Sequence, residues 1–549
     1  MSNAVKKSFG WGLPVMLAIG WLVAALPAMA AEAPRRYISL VRELDAPTAR
    51  AKVEALQPFL ASDIYLPEID IQHPDDGALF PPNMAAPHIF WNDPFLLSDT
   101  WLVVMEARNG ARVCCFTDRP RWVPDRPTWE WFRQQAGHDP TGLTVIGLAR
   151  STGLHPVTRT HITFTISPDP FDGLIFFKQT RLPFLRAREH PEQARWVLAD
   201  IADDGPPQIV LEGVGTCAHC HTFSPDGHMF GIDIDRNGDK GGFLLAPTAP
   251  RMQLGTAHYL SWNSYRPQDG RSSMGLFTKI SPCGRYLIST VKETSLFAML
   301  PDLAFSQLFF PLEGRLAVYD QAAGRFWVLP GGDLNDAVQT CPEWSPDGKT
   351  IMFARAPVNA ALAKQMQAKK FLEPARGETI ADLNRRYRIR FDLYTLPFNN
   401  GRGGTPRRLE GASSNGRSNF FPRYSPDGQW VAFNQSATGL VLQPDSALYL
   451  VRSQGGPSRR MRCNTGRMNS WHSWSRNSRW LVFASKAMSA YTELLLTHVD
   501  AAGNDSPPVA LNRLNQEGFA AVLPEVIPRT SMPLEKIRFE EGFFRKISN

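Results

Sequence analysis

The sequence predicts an all-β protein, in which an immunoglobulin- or fibronectin-like β-sandwich is followed by a six-bladed β-propeller. A short motif built around Ser-Pro-Asp-Gly recurs from residue 166 onward, and an alternating strand-like run follows each copy. The residues before it contain several strand-like runs of a different texture. A supersecondary unit repeated at intervals of several tens of residues is typical of propellers.

The repeated motif predicts a series of β-hairpins. Its copies begin at Ile166, Phe223, Ile280, Trp344, Tyr424 and Trp474, and those at Phe223, Trp344 and Tyr424 match most closely. In each close copy, Pro presets its own φ and Gly adopts a positive φ, so the segment favours a tight turn between two strands. Four short strands per copy, about six times over, give the predicted propeller.

These patterns divide the chain into four parts. We expect a signal peptide at residues 1–30, the sandwich at 31–165, the propeller at 166–506 and a C-terminal extension at 507–549. A partly helical insertion is expected at about 357–390, between two widely spaced copies. The extension either closes the last blade or wraps the outside of the propeller.

The first thirty residues have the layout of a secretory signal. Lys6 and Lys7 precede an uncharged apolar stretch from Trp11 to Leu26, and a small-residue cleavage site follows at 28–30. The alternative is a retained membrane anchor, but the stretch is shorter than the roughly 20 residues that span a bilayer. The sequence therefore predicts export to the periplasm, with no integral membrane segment after cleavage.

Charge gives little indication of a partner. The full chain has a formal charge of +7, and loss of the two leader lysines leaves +5. Lys and Arg are scattered, without a basic run interleaved with aromatic residues, so no nucleic-acid partner is expected.

The most specific chemical signal is Cys217-Ala218-His219-Cys220-His221. Covalent haem attachment needs two thiols separated by two residues, followed at once by an imidazole for the iron. The sequence thus predicts one covalent haem c, with thioethers at Cys217 and Cys220 and His221 as an axial ligand. A thioredoxin-type redox pair and a zinc site are the alternatives, but no βαβ pattern and no second ligand pair lie nearby.

The second axial ligand of the iron is left open. The candidates are His228, Met229, His258, Met274 and His472. His472 stands at a strand entry equivalent to that of the haem motif, although a histidine between tryptophans is commonly a packed residue. An open or water-bound iron is an equal alternative. The disulfide pairing of the five remaining cysteines cannot be read from sequence, and buried thiols are the alternative for Cys114 and Cys115, which lie in a strand-like run.

Several stretches of the chain resemble one family. They lie at 174–184, 210–242, from 309, from 462 and from 491. In motif and order they resemble exported bacterial proteins with a TolB-like β-propeller and a single embedded c-type haem motif. The layout is distantly similar to the hydrazine synthase α subunit, but this chain lacks the second haem motif of that subunit. The resemblance implies a sandwich and a haem-bearing propeller, and it implies no activity.

Three functions remain as hypotheses. The first is a periplasmic monohaem cytochrome that transfers electrons with protein partners. The second is a haem enzyme or small-ligand sensor with an open iron position. The third is a protein-interaction scaffold in which the haem is structural, so the sequence does not decide whether the chain is an enzyme.

Overall fold

The computed structural model describes residues 33–42, 44–61, 65–305, 307–368, 372–529 and 534–544. The predicted signal peptide at 1–30 lies outside these residues. None of the helices they form is long and apolar enough to cross a membrane.

The N-terminal region contains two sheets and three helices. Its elements are β1 (Arg35–Ser39), α1 (Ala46–Ala55), α2 (Gln57–Ala61), β2 (Asp70–His73), β3 (Ala78–Phe80), β4 (Ile89–Asn92), β5 (Thr100–Glu106), β6 (Arg112–Thr117), β7 (Arg121–Trp122), α3 (Arg126–Ala136), β8 (Thr141–Ala149) and β9 (His155–Ile166). One sheet has the order β1-β6-β5-β8-β9-β3 and is parallel at its two edge pairs, and the other has the order β2-β4-β7.

Helices cover both faces of the larger sheet. The carboxylate of Asp125 accepts the N–H of Thr128 and begins α3, which buries Trp129 and Phe132 on one face. Helix α1 packs against the other face. Helix α3 is eleven residues long, because its apolar stripe continues to Ala136. The immunoglobulin or fibronectin class of this region stays a prediction.

The remaining elements are mostly short strands. The first half contains β10 (Leu174–Thr180), α4 (Phe184–Glu189), β11 (Arg195–Ala199), β12 (Gln208–Glu212), β13 (Ala218–Phe223), β14 (Met229–Ile234), β15 (Gly242–Pro247), β16 (Arg251–Leu254), β17 (Tyr259–Ser261), β18 (Leu276–Ile280), β19 (Tyr286–Met299), β20 (Gln307–Asp320) and β21 (Arg325–Val328). The second half contains β22 (Ala337–Trp344), β23 (Thr350–Pro357), α5 (Ala360–Ala368), α6 (Ile380–Arg386), β24 (Asp392–Pro397), β25 (Arg407–Arg408), β26 (Ser418–Tyr424), β27 (Trp430–Ser436), β28 (Ala447–Arg452), β29 (Arg459–Arg460), β30 (Asn469–Trp474), β31 (Trp480–Ser485), β32 (Glu493–His498), β33 (Val509–Ala510), β34 (Ala520–Ile527) and β35 (Lys536–Phe539). Helices α5 and α6 lie where the partly helical insertion was expected.

The described residues form six antiparallel sheets of four strands each. In chain order they are sheet I (β12-β11-β10-β34), sheet II (β13-β14-β15-β17), sheet III (β18 to β21), sheet IV (β22 to β25), sheet V (β26 to β29) and sheet VI (β30 to β33). One edge strand of every sheet lines a shared central cavity. Four-stranded antiparallel sheets around a centre are the arrangement of a β-propeller.

Sheet I is closed by the far end of the chain. Strand β34 pairs antiparallel with β10, from Leu174 opposite Ile527 to Thr180 opposite Ala520. The weak repeat copy that begins at Ile166 therefore has no inner strand of its own, because Ile166 ends β9 of the N-terminal sheet. Beyond β34, β35 pairs in parallel with β16 on the outside of sheet II.

The turns follow the repeated motif. In the copy at Phe223, the hydroxyl of Ser224 accepts the N–H of Met229 at 2.9 Å and donates to Asp226 at 2.5 Å. Gly227 has a φ of 75°, as the position requires. The same Ser–Asp contact recurs at Ser345 and Ser425, so the predicted hairpins are present.

One hairpin extends beyond its sheet. Strands β19 and β20, of fourteen residues each, continue past β18 as an arm formed by residues 294–305 and 307–313. The ammonium of Lys486, which follows β31 in sheet VI, donates to the carbonyls of Leu303 (3.3 Å) and Ala304 (2.5 Å) at the tip of this arm. The arm of sheet III thus reaches sheet VI.

Candidate functional site

The cysteine motif lies at the start of β13, the inner strand of sheet II. Here the ladder has a bulge, in which His219 and Cys220 together face the single residue Asp233 on β14. A bulge of this kind re-aims side chains out of the regular strand alternation. It places Cys220 and His221 on the wall of the central cavity.

The cavity is built by all six inner strands. Its lining residues are Cys220, His221, Phe277, Thr278, Lys279, Cys341, Pro342, Glu343, Phe421, Pro422, Arg423, Trp471, His472, Leu523, Pro524 and Glu525. The space between these residues is about 570 Å³ and is partly open to solvent.

His221 is a buried imidazole without a hydrogen-bond partner among the described residues. Its side chain is 5% exposed, and neither Nδ1 nor Nε2 makes a hydrogen bond of ordinary geometry, although the Leu523 backbone lies near enough to raise the pKa of the ring. The ring lies edge-on to Phe176, with 4.6 Å between centroids. Burial holds the pKa of His221 well below its usual value, so the ring is neutral and has a free lone pair, which is the form that binds metals.

Two free thiols precede this histidine in the sequence. Cys217 and Cys220 are partly exposed and unpaired. The ammonium of buried Lys178 on β10 donates to the carbonyl of Ala218 at 2.6 Å and so fixes the backbone between the thiols. Burial lowers the pKa of Lys178 to about 8, and the same effect raises the pKa of the Cys220 thiol.

These residues fit a c-type haem by the chemistry of their donors. Two free thiols are available for the thioethers, and an unpartnered buried imidazole is available for the iron. Cys217, Cys220 and His221 would hold such a haem, which would supply one-electron chemistry.

His472 lies on the same cavity, but one of its nitrogens is already used. Its ring is 2% exposed, and Nε2 donates to the carbonyl of Ala432 at 3.0 Å. Burial lowers the pKa of His472 to about 3. Its role as a second iron ligand stays a prediction. The other four candidates, His228, Met229, His258 and Met274, do not line the cavity.

Sequence reasoning missed a set of polar residues that we call the polar ring. Its members are Thr222, Lys279, Glu343, Arg423, Ser473 and Glu525, one from each inner strand. Arg423 and Glu343 form an ion pair at 2.8 Å, and the carboxylate of Glu525 accepts the N–H of Phe223 at 2.9 Å. A signal existed, since the first five members each precede the serine of a repeat copy by two residues.

Two carboxyl groups lie behind the motif. Each has an oxygen that is buried and unpartnered among the described residues, Oδ1 in Asp233 and Oε2 in Glu293. Burial raises the pKa of Asp233 well above its usual value and that of Glu293 to about 8. Glu293 is therefore mainly in the neutral form near neutral pH.

All seven cysteines, including Cys114 and Cys115, are free thiols in the structure. Cys114 and Cys115 are buried in the N-terminal sheet.

Comparisons with known proteins give distant structural likenesses. No protein-family model matches the chain, and no curated protein matches it significantly. A TolB protein from Agrobacterium tumefaciens is 15% identical over 65% of this chain and 99% of its own, with a TM-score of 0.32. A periplasmic gluconolactonase from Pseudomonas aeruginosa is 12% identical over 61% and 82%, with a TM-score of 0.32. A chain of a nidogen–laminin complex is 9% identical over 66% and 100%, with a TM-score of 0.36. At these scores the likenesses support no statement about function.

Proposed function

We propose that this chain is an exported periplasmic monohaem c-type cytochrome that transfers electrons with protein partners. In this proposal a β-sandwich precedes a six-bladed, TolB-like propeller, and the haem is joined to Cys217 and Cys220 with His221 on the iron. One observation supports it above the others: His221 is buried with both ring nitrogens unpartnered, directly after two free thiols.

The residues around the motif have distinct roles in this proposal. Burial keeps His221 neutral, and the edge contact with Phe176 orients its ring. Lys178 holds the Ala218 carbonyl and with it the spacing of the thiols. The haem, when bound, supplies one-electron chemistry.

A second candidate is a small-ligand sensor or haem enzyme with an open iron position. The observation that favours it is that only one of the five predicted second ligands, His472, lines the cavity, and its hydrogen bond to Ala432 occupies Nε2 and leaves only Nδ1. A bound haem with no second protein ligand has a position free for a small molecule.

Spectroscopy of protein exported from a host with c-type haem maturation tests the proposal. We expect covalent haem in the wild type and its loss in Cys217→Ser/Cys220→Ser, whereas Cys283→Ser, which changes an exposed thiol, retains it. Reduced spectra indifferent to carbon monoxide support electron transfer, and a carbon monoxide shift supports the second candidate. Wild-type protein exported without haem refutes both.

A further inference from the structure

Four members of the polar ring have direct partners. Glu343 and Arg423 are paired with each other at 2.8 Å. The Ser473 hydroxyl accepts the N–H of Val526 at 3.0 Å, and Glu525 accepts that of Phe223. These contacts join sheet IV to V, sheet VI to I, and sheet I to II.

The two members on sheets II and III differ. Among the described residues, the ammonium of Lys279 makes no direct hydrogen bond or ion pair. Thr222 is 1% exposed, and its hydroxyl has no hydrogen-bond partner among the residues that the structure describes. The Lys279 side chain is partly exposed on the cavity, so its ammonium is open to a ligand there, whereas Thr222 is not one of the residues that line the cavity.

Their position relates them to the haem motif. Lys279 lines the cavity together with Cys220 and His221, and strands β13 and β18 are neighbours. Burial is the main cause that lowers the pKa of His221, and the charge of Lys279 is the second. Burial is also the main cause that lowers the pKa of Lys279, and the charge of Arg423 is the second.

Two cations therefore converge on one cavity wall. Two carboxylates lie near enough to raise the pKa of Lys279, first Glu525 and then Glu343, and Glu343 already pairs with Arg423. The carboxylate of Glu525 is also nearby, but it holds the backbone of sheet II. The positive charge of Lys279 is thus left directed at the cavity beside His221.

We infer that Lys279 binds a carboxylate at the His221 side of the cavity. Such a carboxylate has two sources: a propionate of the haem, in which case the inference rests on the proposed function, or a small free carboxylate. In both cases the ammonium of Lys279 donates a charge-assisted hydrogen bond to the carboxylate. The substitution Lys279→Arg retains the positive charge, and Lys279→Gln removes it.

The first arm of the test uses the haem-loaded protein. We compare the wild type with Lys279→Gln and Lys279→Arg, and with Lys349→Gln as a control at an exposed turn. The readouts are covalent haem content and reduction potential. If Lys279 holds a propionate, Lys279→Gln lowers the potential, because a positive charge near the iron favours the reduced state, whereas the Arg and control variants stay close to the wild type.

In the second arm, acetate is titrated into the wild type and the same variants, each with and without haem, and binding is measured by calorimetry. If a free carboxylate occupies the site, the wild type binds acetate saturably, and Lys279→Gln weakens binding by at least about tenfold. An unchanged potential together with an absence of saturable acetate binding overturns the inference. Wild-type protein without haem refutes the proposed function separately, because the acetate arm then still tests the site. Thermal melting shows that each variant is folded.

Discussion

The two unpartnered nitrogens of His221 have a measurable energetic consequence. Replacement of His221 by Leu, which is similar in volume, should stabilise the haem-free protein. Each buried polar group without a partner costs about 1–3 kcal/mol, so removing two gains about 2–6 kcal/mol. Loss of the edge contact with Phe176 subtracts about 1 kcal/mol, which leaves a net gain of about 1–5 kcal/mol.

The matched control is His472→Leu. This ring is equally buried but donates to Ala432, so the gain from its unpartnered Nδ1 is offset by the lost bond. We expect little net change. Protein made without haem maturation is unfolded in urea, and midpoints are compared by tryptophan fluorescence. If His221→Leu lowers the midpoint as much as His472→Leu or more, His221 is not an unsatisfied group, and the main argument for its role as a ligand fails.

Further predictions concern other parts of the chain. Burial lowers the pKa of His73 to about 4 from 6.5, so the unfolded chain takes up the proton first as pH falls, and stability worth about 3 kcal/mol is lost between pH 6.5 and 4. His73→Leu leaves the N–H of Ala510 unpaired and should destabilise the protein by about 1–3 kcal/mol at pH 7. In urea unfolding, the difference in midpoint between this variant and the wild type should shrink towards pH 4. A difference that stays constant with pH contradicts the assignment. Gly275→Ala should cost at least about 2 kcal/mol in urea unfolding, because φ is positive and the new Cβ would lie 2.2 Å from Trp262. The control Gly153→Ala also has a positive φ but has open space around it, and it should cost about 1 kcal/mol. Equal losses in the two variants contradict the steric argument. Lys486→Met should increase hydrogen exchange at the arm tip, residues 300–305, because its two carbonyl contacts disappear; unchanged exchange shows that apolar packing alone holds the tip.

The repeated turn explains why much of the propeller was predictable. Ser224 and Asp226 act within a few residues of each other, so the hairpin is encoded locally and is visible in sequence. The closure of sheet I is not local, since β34 pairs with a strand more than three hundred residues earlier. The weak copy at Ile166 indicated a turn, but not that its inner strand comes from the C-terminal extension.

The site was predictable in its chemistry and not in its surroundings. The spacing of Cys217, Cys220 and His221 is a property of the sequence alone. The bulge opposite Asp233 and the unpartnered state of Lys279 depend on neighbouring sheets. The hydrogen bond of His472 to Ala432 likewise crosses from sheet VI to sheet V, so no pattern around His472 reveals it.

The pairing of β34 with β10 also sets an order of events during biogenesis. Residues 217–221 emerge from the ribosome long before residues 520–527. Until β34 docks, the inner edge of sheet I is open, and the wall formed by Leu523 and Glu525 beside the cysteine motif is missing. The chain therefore passes through an interval in which Cys220 and His221 are more open to solvent than in the folded protein, and the docking of β34 ends that interval.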